Sequence, residues 1–153
     1  MQILLKFILF FFLFTNISNA DLVKPNSNLK PFDVLMIQLN SLKNNNSPYK
    51  DAGIEQTWEF AHPINKASTG PLENFKKMIY SKNYEILIKH VNSKVTLISK
   101  TKNKSVYKVS ILSKDKKKYN YTWQLEKVLF DGSLKNCWMT INVSNPQYIG
   151  DII

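Results

Sequence analysis

The stretch 119-YNYTWQLEKV-128 decides the fold class of this chain. Its odd-numbered positions from 119 to 125 are aromatic or aliphatic, and its even-numbered positions from 120 to 126 are polar. A period of two is typical of a β-strand that has one face on a core and the other in water. The sequence therefore predicts a strand here whose odd-numbered side chains cover the core.

Three further stretches favour strands, which gives four in all: 94–101, 105–113, 119–128 and 136–143. The segments 102–104, 114–118 and 131–133 that join them are short and polar, as in antiparallel hairpins. The segment 84–91 is ambiguous and fits either a strand or an irregular connector. The strands all lie in the second half of the chain.

The first half favours helices. Pro31 suits a first helical position, and apolar residues at helical spacing predict a helix over 31–43. Asp51 is a suitable cap for a second helix, which Pro63 is expected to end. Gly70 and Pro71 are expected to cap and open a third helix near 71–80. Helices followed by a strand meander indicate an α+β fold, with N-terminal helices packed on a curved four-stranded antiparallel sheet.

The N-terminus carries an export signal. Lys6 precedes the apolar run 7–14, and the polar segment 15–20 ends in small residues at Ala20. The run is shorter than the ~20 apolar residues that cross a bilayer. We expect a signal peptide over 1–20, a flexible leader over 21–30, a single α+β domain over 31–145 and a C-terminal tail over 146–153. The protein is then exported to the periplasm, the thylakoid lumen or the medium, although an uncleaved anchor is the alternative.

Charge and composition narrow the range of partners. The chain has a formal charge of +10 and 21 basic residues, all of them Lys. Arg, which makes the bidentate contacts to phosphate and guanine, is absent. We expect no nucleic-acid partner, since charge alone is only an electrostatic footprint. The run Lys114–Lys118 is either a solvated hairpin tip or a weak contact with an anionic membrane surface.

No cofactor or metal site is expected. His62 and His90 have no close His or Cys partner in the sequence, and there is no glycine-rich phosphate loop. Cys137 is the only cysteine and is followed by the apolar Trp138 and Met139 of a predicted strand, so we expect a buried and unreactive thiol.

Several short motifs occur in order along the chain: 51-DAGIE-55, 60-FAHPINK-66, 69-TGPLENF-75, 84-YEILIKH-90 and 137-CWMT-140. Together they resemble an uncharacterised bacterial and plant domain family with the blocks D-x-G-I-E, F-A-S-P-x-N and T-G-P-L-x-x-F. The resemblance covers most of 33–143. It implies the cystatin-like cone of the nuclear-transport-factor-two-like fold, which hosts isomerases, dehydratases and binding modules alike. His62 replaces the Ser of the family block, and Ile141 and Asn142 stand where an acidic residue and a glycine are expected.

Six residues are candidates to line a ligand pocket in such a cone: Trp58, Tyr84, His90, Tyr107, Trp123 and Trp138. The leading hypothesis is a non-enzymatic module that binds a small apolar ligand or a protein partner. The first alternative is an isomerase or dehydratase that uses His90 as its base, because imidazole titrates near neutral pH. The second alternative is a homodimeric assembly module in which the exposed sheet face pairs with its copy.

Overall fold

The computed structural model describes residues 21–152, and the expected signal peptide lies outside this segment. The α+β fold class is confirmed. The helices of this segment are α1 (Pro31–Lys43), α2 (Ala52–Glu59), α3 (Pro63–Thr69) and α4 (Leu72–Ile79), and a single 3₁₀ turn follows at Glu85–Leu87. The strands are β1 (Asn92–Lys100), β2 (Lys104–Leu112), β3 (Lys117–Lys127), β4 (Trp138–Val143) and β5 (Gln147–Asp151).

The strands form one open antiparallel sheet with the order β1-β2-β3-β4. The registers place Tyr107 opposite Trp123 and Leu125 opposite Thr140. β5 pairs with the other end of β3, on residues 117–120. β4 and β5 therefore run along β3 one after the other, with a break at residues 144–146 between them.

The alternation predicted for β3 is confirmed. Tyr121, Trp123 and Leu125 are almost fully buried, and their even-numbered neighbours are half-buried or exposed. β2 has the same pattern, with Tyr107 and Val109 on the buried side. The two strands thus present one apolar face, and the helices cover it.

The helix α1 lies over this face through an apolar stripe. Val34, Leu35, Leu39 and Leu42 are completely buried in the main core. The side chain of Asp33 accepts a hydrogen bond at 3.1 Å from the backbone N–H of Lys30, which satisfies a free donor at the helix start. The helix therefore begins at Pro31, as predicted.

The helix α2 crosses α1 at very short range. A Cβ atom on Gly53 would lie 2.0 Å from the carbonyl oxygen of Ser41 and 2.8 Å from the Cα of Asn45. The backbone N–H of Gly53 instead donates to the carbonyl of Asn45 at 2.9 Å. The glycine of the 51-DAGIE-55 motif is therefore needed for this contact between two backbones.

The structure differs from the predicted element boundaries chiefly in three places. Gly70 and Pro71, expected to cap and open a helix, lie one position earlier than that: Gly70 is the C-cap of α3, and Pro71 is the N-cap of α4, which begins at Leu72. Pro63, expected to end a helix, begins α3, because proline is tolerated at a first helical position and His62 accepts the backbone N–H of Ile64 at its Nδ1. The segment 146–153, expected to be a tail, contains β5, because β3 is long enough to pair with a further strand. The segment 84–91 is a connector with one 3₁₀ turn.

The strand β1 borders the sheet on one side. It is mostly exposed, and its register with β2 shifts between Leu97 and Ser99. Lys94 and Lys100 lie on either side of this bulge. Within residues 21–152, none of the helices has the length and apolar character that a bilayer crossing requires.

Candidate functional site

A cavity of about 100 Å³ lies between the helices and the buried face of β3 and β4. Fourteen residues line it: Gln38, Leu42, Thr57, Ala61, Asn65, Phe75, Met78, Ile79, Tyr84, Leu87, Trp123, Thr140, Asn142 and Val143. They come from all four helices, the 84–87 turn and two strands. We call this space the core cavity.

The inner end of the core cavity is polar. The Oε1 atom of Gln38 accepts hydrogen bonds from the Thr140 hydroxyl at 2.6 Å and from Nε1 of Trp123 at 3.3 Å. The same Trp123 N–H lies 3.0 Å from the Thr140 hydroxyl oxygen. The Nε2 atom of Gln38 donates to the carbonyl of Thr57 at 3.1 Å. The network links α1, α2, β3 and β4, and it fixes the orientation of the indole.

The mouth of the core cavity lies where its lining residues are not fully buried, namely at Asn65 on α3, Met78 on α4, Tyr84, and Asn142 and Val143 on β4. Asn142 is exposed, and Asn65 is half-buried. The side chain of Asn65 donates to the carbonyl of Thr140 at 3.3 Å, and its Oδ1 accepts from the Thr69 hydroxyl at 3.0 Å. Two amide side chains therefore flank the mouth.

The side walls are mainly apolar. Leu42, Phe75, Ile79 and Leu87 are buried members of the main core. The hydroxyl of Tyr84 donates to the carbonyl of Val143 at 3.0 Å, which ties the 84–87 turn to the end of β4. Burial raises the pKa of the Tyr84 hydroxyl, so this group is a neutral hydrogen-bond donor near pH 7.

Two of the six predicted pocket residues, Tyr84 and Trp123, line the core cavity. Trp58 lies outside the lining and packs on Phe75 with a ring separation of 5.0 Å. Tyr107 packs near Phe32, with the ring centroids 6.3 Å apart. The structure therefore divides the aromatic residues between the cavity and the ordinary core.

Trp138 and His90 also lie outside the core cavity. Trp138 is buried in the main core and pairs with Lys127 in the β3–β4 register, and the Lys127 ammonium lies 5.4 Å from the centre of its ring. His90 is 3 % exposed and lines a different cleft, next to the β2–β3 turn. Its Nδ1 lies 2.8 Å from the carbonyl oxygen of Leu87. The pKa of His90 is lowered overall. Burial is the main cause and nearby Lys43 adds to it, while the hydrogen bond to the Leu87 carbonyl raises the pKa and offsets only part of this.

The remaining chemical candidates are held in structural contacts. His62 caps α3, and burial lowers its pKa. Cys137 is buried beside Val128 and Met139, and burial raises the pKa of its thiol. Among residues 21–152, no three His, Cys, Asp or Glu side chains come together as a metal site.

The polar residues at the inner end, Gln38 and Thr140, were not among the predicted site residues. A signal for Gln38 is present in the sequence: it lies three residues after Leu35 and four before Leu42, so it falls on the apolar face of α1. A polar residue at such a position must find buried partners. Thr140 has no comparable signal, because a threonine in a strand is common on either face.

Comparison of the chain with protein-family models, with curated proteins and with solved structures finds no match.

Proposed function

We propose that this protein is an exported, non-enzymatic binding module that holds the end of a small apolar ligand in the core cavity. The observation that carries the proposal is the cavity itself: an apolar space with a hydrogen-bonding inner end and an amide-flanked mouth. Ligand sites are commonly concave and apolar, with a few fixed polar groups that orient the ligand.

The volume sets the size of the enclosed group. An apolar cavity of roughly 150 Å³ is known to bind benzene. The core cavity, at about 100 Å³, is smaller than this and accommodates a branched chain end. A longer ligand leaves its remainder at the mouth, beside Asn65 and Asn142.

The lining chemistry supports binding over proton transfer. Tyr84 is the one titratable side chain among the fourteen lining residues, all of which belong to the described part of the chain. Its hydroxyl already donates a hydrogen bond to the Val143 carbonyl. A general base must lie within reach of the substrate proton that it removes. His90 lies on another cleft, which weakens the isomerase or dehydratase alternative.

We also propose that the fold is the nuclear-transport-factor-two-like cone and that residues 1–20 export the protein. Helices that precede an antiparallel meander and cover its apolar face support the cone. The charged, apolar and small-residue order of residues 1–20 supports export. A homodimer is the remaining alternative, and light scattering after size exclusion tests it by mass.

Thermal unfolding of residues 21–153 tests the binding proposal. The probes are geraniol and decanol, each of which has an apolar chain end and one hydrogen-bonding group. A ligand that binds only the folded state raises Tm, by mass action. We expect at least one of these probes to raise Tm in a saturable manner.

The variant Ala61→Leu locates the site, because Ala61 is buried and lines the core cavity. The added carbons occupy the space, so the ligand-induced rise in Tm should be lost. The matched control is Ala67→Leu on the exposed side of α3. Absence of any probe effect, or equal effects in both variants, contradicts the proposed function.

A further inference from the structure

A second cleft lies on the surface next to the core cavity, with a volume of about 470 Å³. The connector 82–90, the turn 113–115, Tyr119 and Pro146 border it. Lys82, Lys89 and Lys114 belong to this border, and we call the site the lysine cleft. Its volume is within the range of small-molecule sites.

The charge in the lysine cleft favours an anion. Among residues 21–152, Lys82, Lys89 and Lys114 form no ion pair within 4 Å. The carboxylate of Asp115 is already held by Lys117 at 2.8 Å and by the hydroxyl of Ser113. Glu85 is the other acid of the cleft. Three lysines thus face one carboxylate that is not in an ion pair, and the cleft is positive.

His90 supplies a second and independent feature. The carbonyl of Leu87 can only accept, so the Nδ1 atom that lies 2.8 Å from it carries the proton. The Nε2 atom of the neutral ring is then a hydrogen-bond acceptor. Within residues 21–152 no protein donor bonds to Nε2, and Ser105 Oγ is the one fully buried side-chain N or O atom that lacks a partner. Nε2 is therefore accessible to solvent, although His90 as a whole is only 3 % exposed and lines the cleft. An accessible acceptor that no protein group uses is free to take a hydrogen bond from water or from a ligand in the cleft.

The backbone on either side of His90 fixes the position of its ring. Lys89 has a φ of 61°, and its N–H donates to the carbonyl of Leu42 at 3.2 Å. Two residues later, the backbone N–H of Val91 donates to the carbonyl of Leu112 at 2.8 Å. The backbone on both sides of His90 is therefore anchored, and the ring is held in place at the cleft.

We propose that the lysine cleft binds a small phosphate ester that also carries a free hydroxyl group. The lysines bind the phosphate, and Nε2 of His90 accepts a hydrogen bond from the hydroxyl. Glycerol phosphate has this chemistry, either as a free metabolite or as the headgroup of an anionic lipid. The site is separate from the core cavity and does not depend on the function proposed for it.

Titration by ¹H–¹⁵N NMR with glycerol 3-phosphate and with methyl phosphate, which lacks the hydroxyl, tests the proposal. Residues 21–153 are used, since both core clusters lie within them. Glycerol 3-phosphate should shift the amide signals of 82–90 and 113–115 in a saturable manner and bind roughly tenfold more tightly than methyl phosphate, as one good hydrogen bond implies.

The variant His90→Asn separates binding from structure. The Asn amide keeps a donor near the Leu87 carbonyl but has no acceptor in the place of Nε2. The fold should persist, and the preference for glycerol 3-phosphate over methyl phosphate should disappear. A preference that survives in His90→Asn contradicts the role of His90.

A lysine variant tests the charge and does not depend on how His90→Asn folds. The triple change of Lys82, Lys89 and Lys114 to Gln should weaken both ligands at least about tenfold, through the loss of charge-assisted bonds. The matched control changes Lys50, Lys77 and Lys108 to Gln, which removes the same charge from exposed sites elsewhere. Equal weakening in both triple variants, or no saturation below about 20 mM ligand, overturns the proposal.

Vesicles that contain phosphatidylglycerol separate the two sources. Co-sedimentation that requires Lys82, Lys89 and Lys114 assigns the headgroup as the natural ligand. Saturable binding of the free ester without vesicle binding assigns a soluble metabolite. If the protein binds vesicles but not the free ester, and the cleft variants leave vesicle binding unchanged, the proposal is overturned. Such a result indicates a contact through Lys114–Lys118 alone.

Discussion

The variant Gln38→Glu should convert the inner end of the core cavity into a pH-dependent element. The side chain of Gln38 is 1 % exposed, accepts from Trp123 and Thr140, and donates to the Thr57 carbonyl. A protonated Glu reproduces this pattern, since its carbonyl oxygen accepts and its O–H donates. An ionised Glu cannot donate to Thr57 and carries a buried charge.

The size of the effect follows from proton linkage. An unfolded Glu has a pKa of about 4.3, whereas buried Glu residues reach about 8 to 9. A raised pKa in the folded state means that stability is complete below pH 4.3 and falls as the pH rises. From pH 4.3 to pH 7 the interval is about 2.7 units, which corresponds to a loss of about 3.7 kcal/mol. At pH 4 the variant should be close to the wild type.

Guanidinium unfolding, followed by far-UV circular dichroism between pH 4 and pH 7, measures the difference from the wild type at each pH. Two controls isolate the cause. Gln38→Met removes the amide and should cost about 2 kcal/mol at every pH. Gln147→Glu places the same charge on exposed β5 and should change stability by less than about 0.5 kcal/mol. A difference between Gln38→Glu and the wild type that stays constant with pH would refute the reasoning.

Three further predictions concern other parts of the chain. Gly53→Ala should destabilise the fold by more than about 3 kcal/mol, because its Cβ would lie 2.0 Å from the Ser41 carbonyl oxygen, and thermal unfolding measures this. Burial lowers the pKa of His62 and of His90 in the folded state, so their contribution to stability is complete above about pH 6.5 and is lost as the pH falls. The free energy of unfolding should therefore be lower at pH 5.5 than at pH 7.5. Changing both residues to Asn should reduce this difference. The thiol of Cys137 is buried with a raised pKa, so a thiol-reactive dye should label it in guanidinium and not in native buffer, and rapid native labelling would contradict this.

The sequence predicts well those elements that local periodicity determines. The period of two in β3 and the apolar spacing of α1 identify the buried faces without knowledge of the partners. α3 and β5 are harder. A proline can follow the end of one helix or occupy the first position of the next, and only the His62 cap shows that Pro63 begins α3. β5 contains Gly150, and its pairing with β3 is a contact between distant segments that local pattern does not encode.

The candidate site is only partly predictable for the same reason. An aromatic residue on a buried face can fill the core or line a cavity, and helix placement decides between them. Trp123 lines the cavity because Gln38 and Thr140 hold its indole from two other elements. Tyr107 faces α1 near Phe32 and fills the core. The contacts that separate these cases span 85 residues in one instance, from Gln38 to Trp123.

The bulge in β1 has a consequence for the behaviour of the protein at high concentration. An exposed edge strand offers free backbone groups to the strands of other molecules and can seed aggregation. The irregular pairing at Leu97 and Ser99 interrupts the regular spacing that such growth requires, and Lys94 and Lys100 add charge repulsion between copies. The chain can therefore keep the exposed side chains of Leu97 and Ile98 on its outermost strand and still resist the stacking of sheets into fibres.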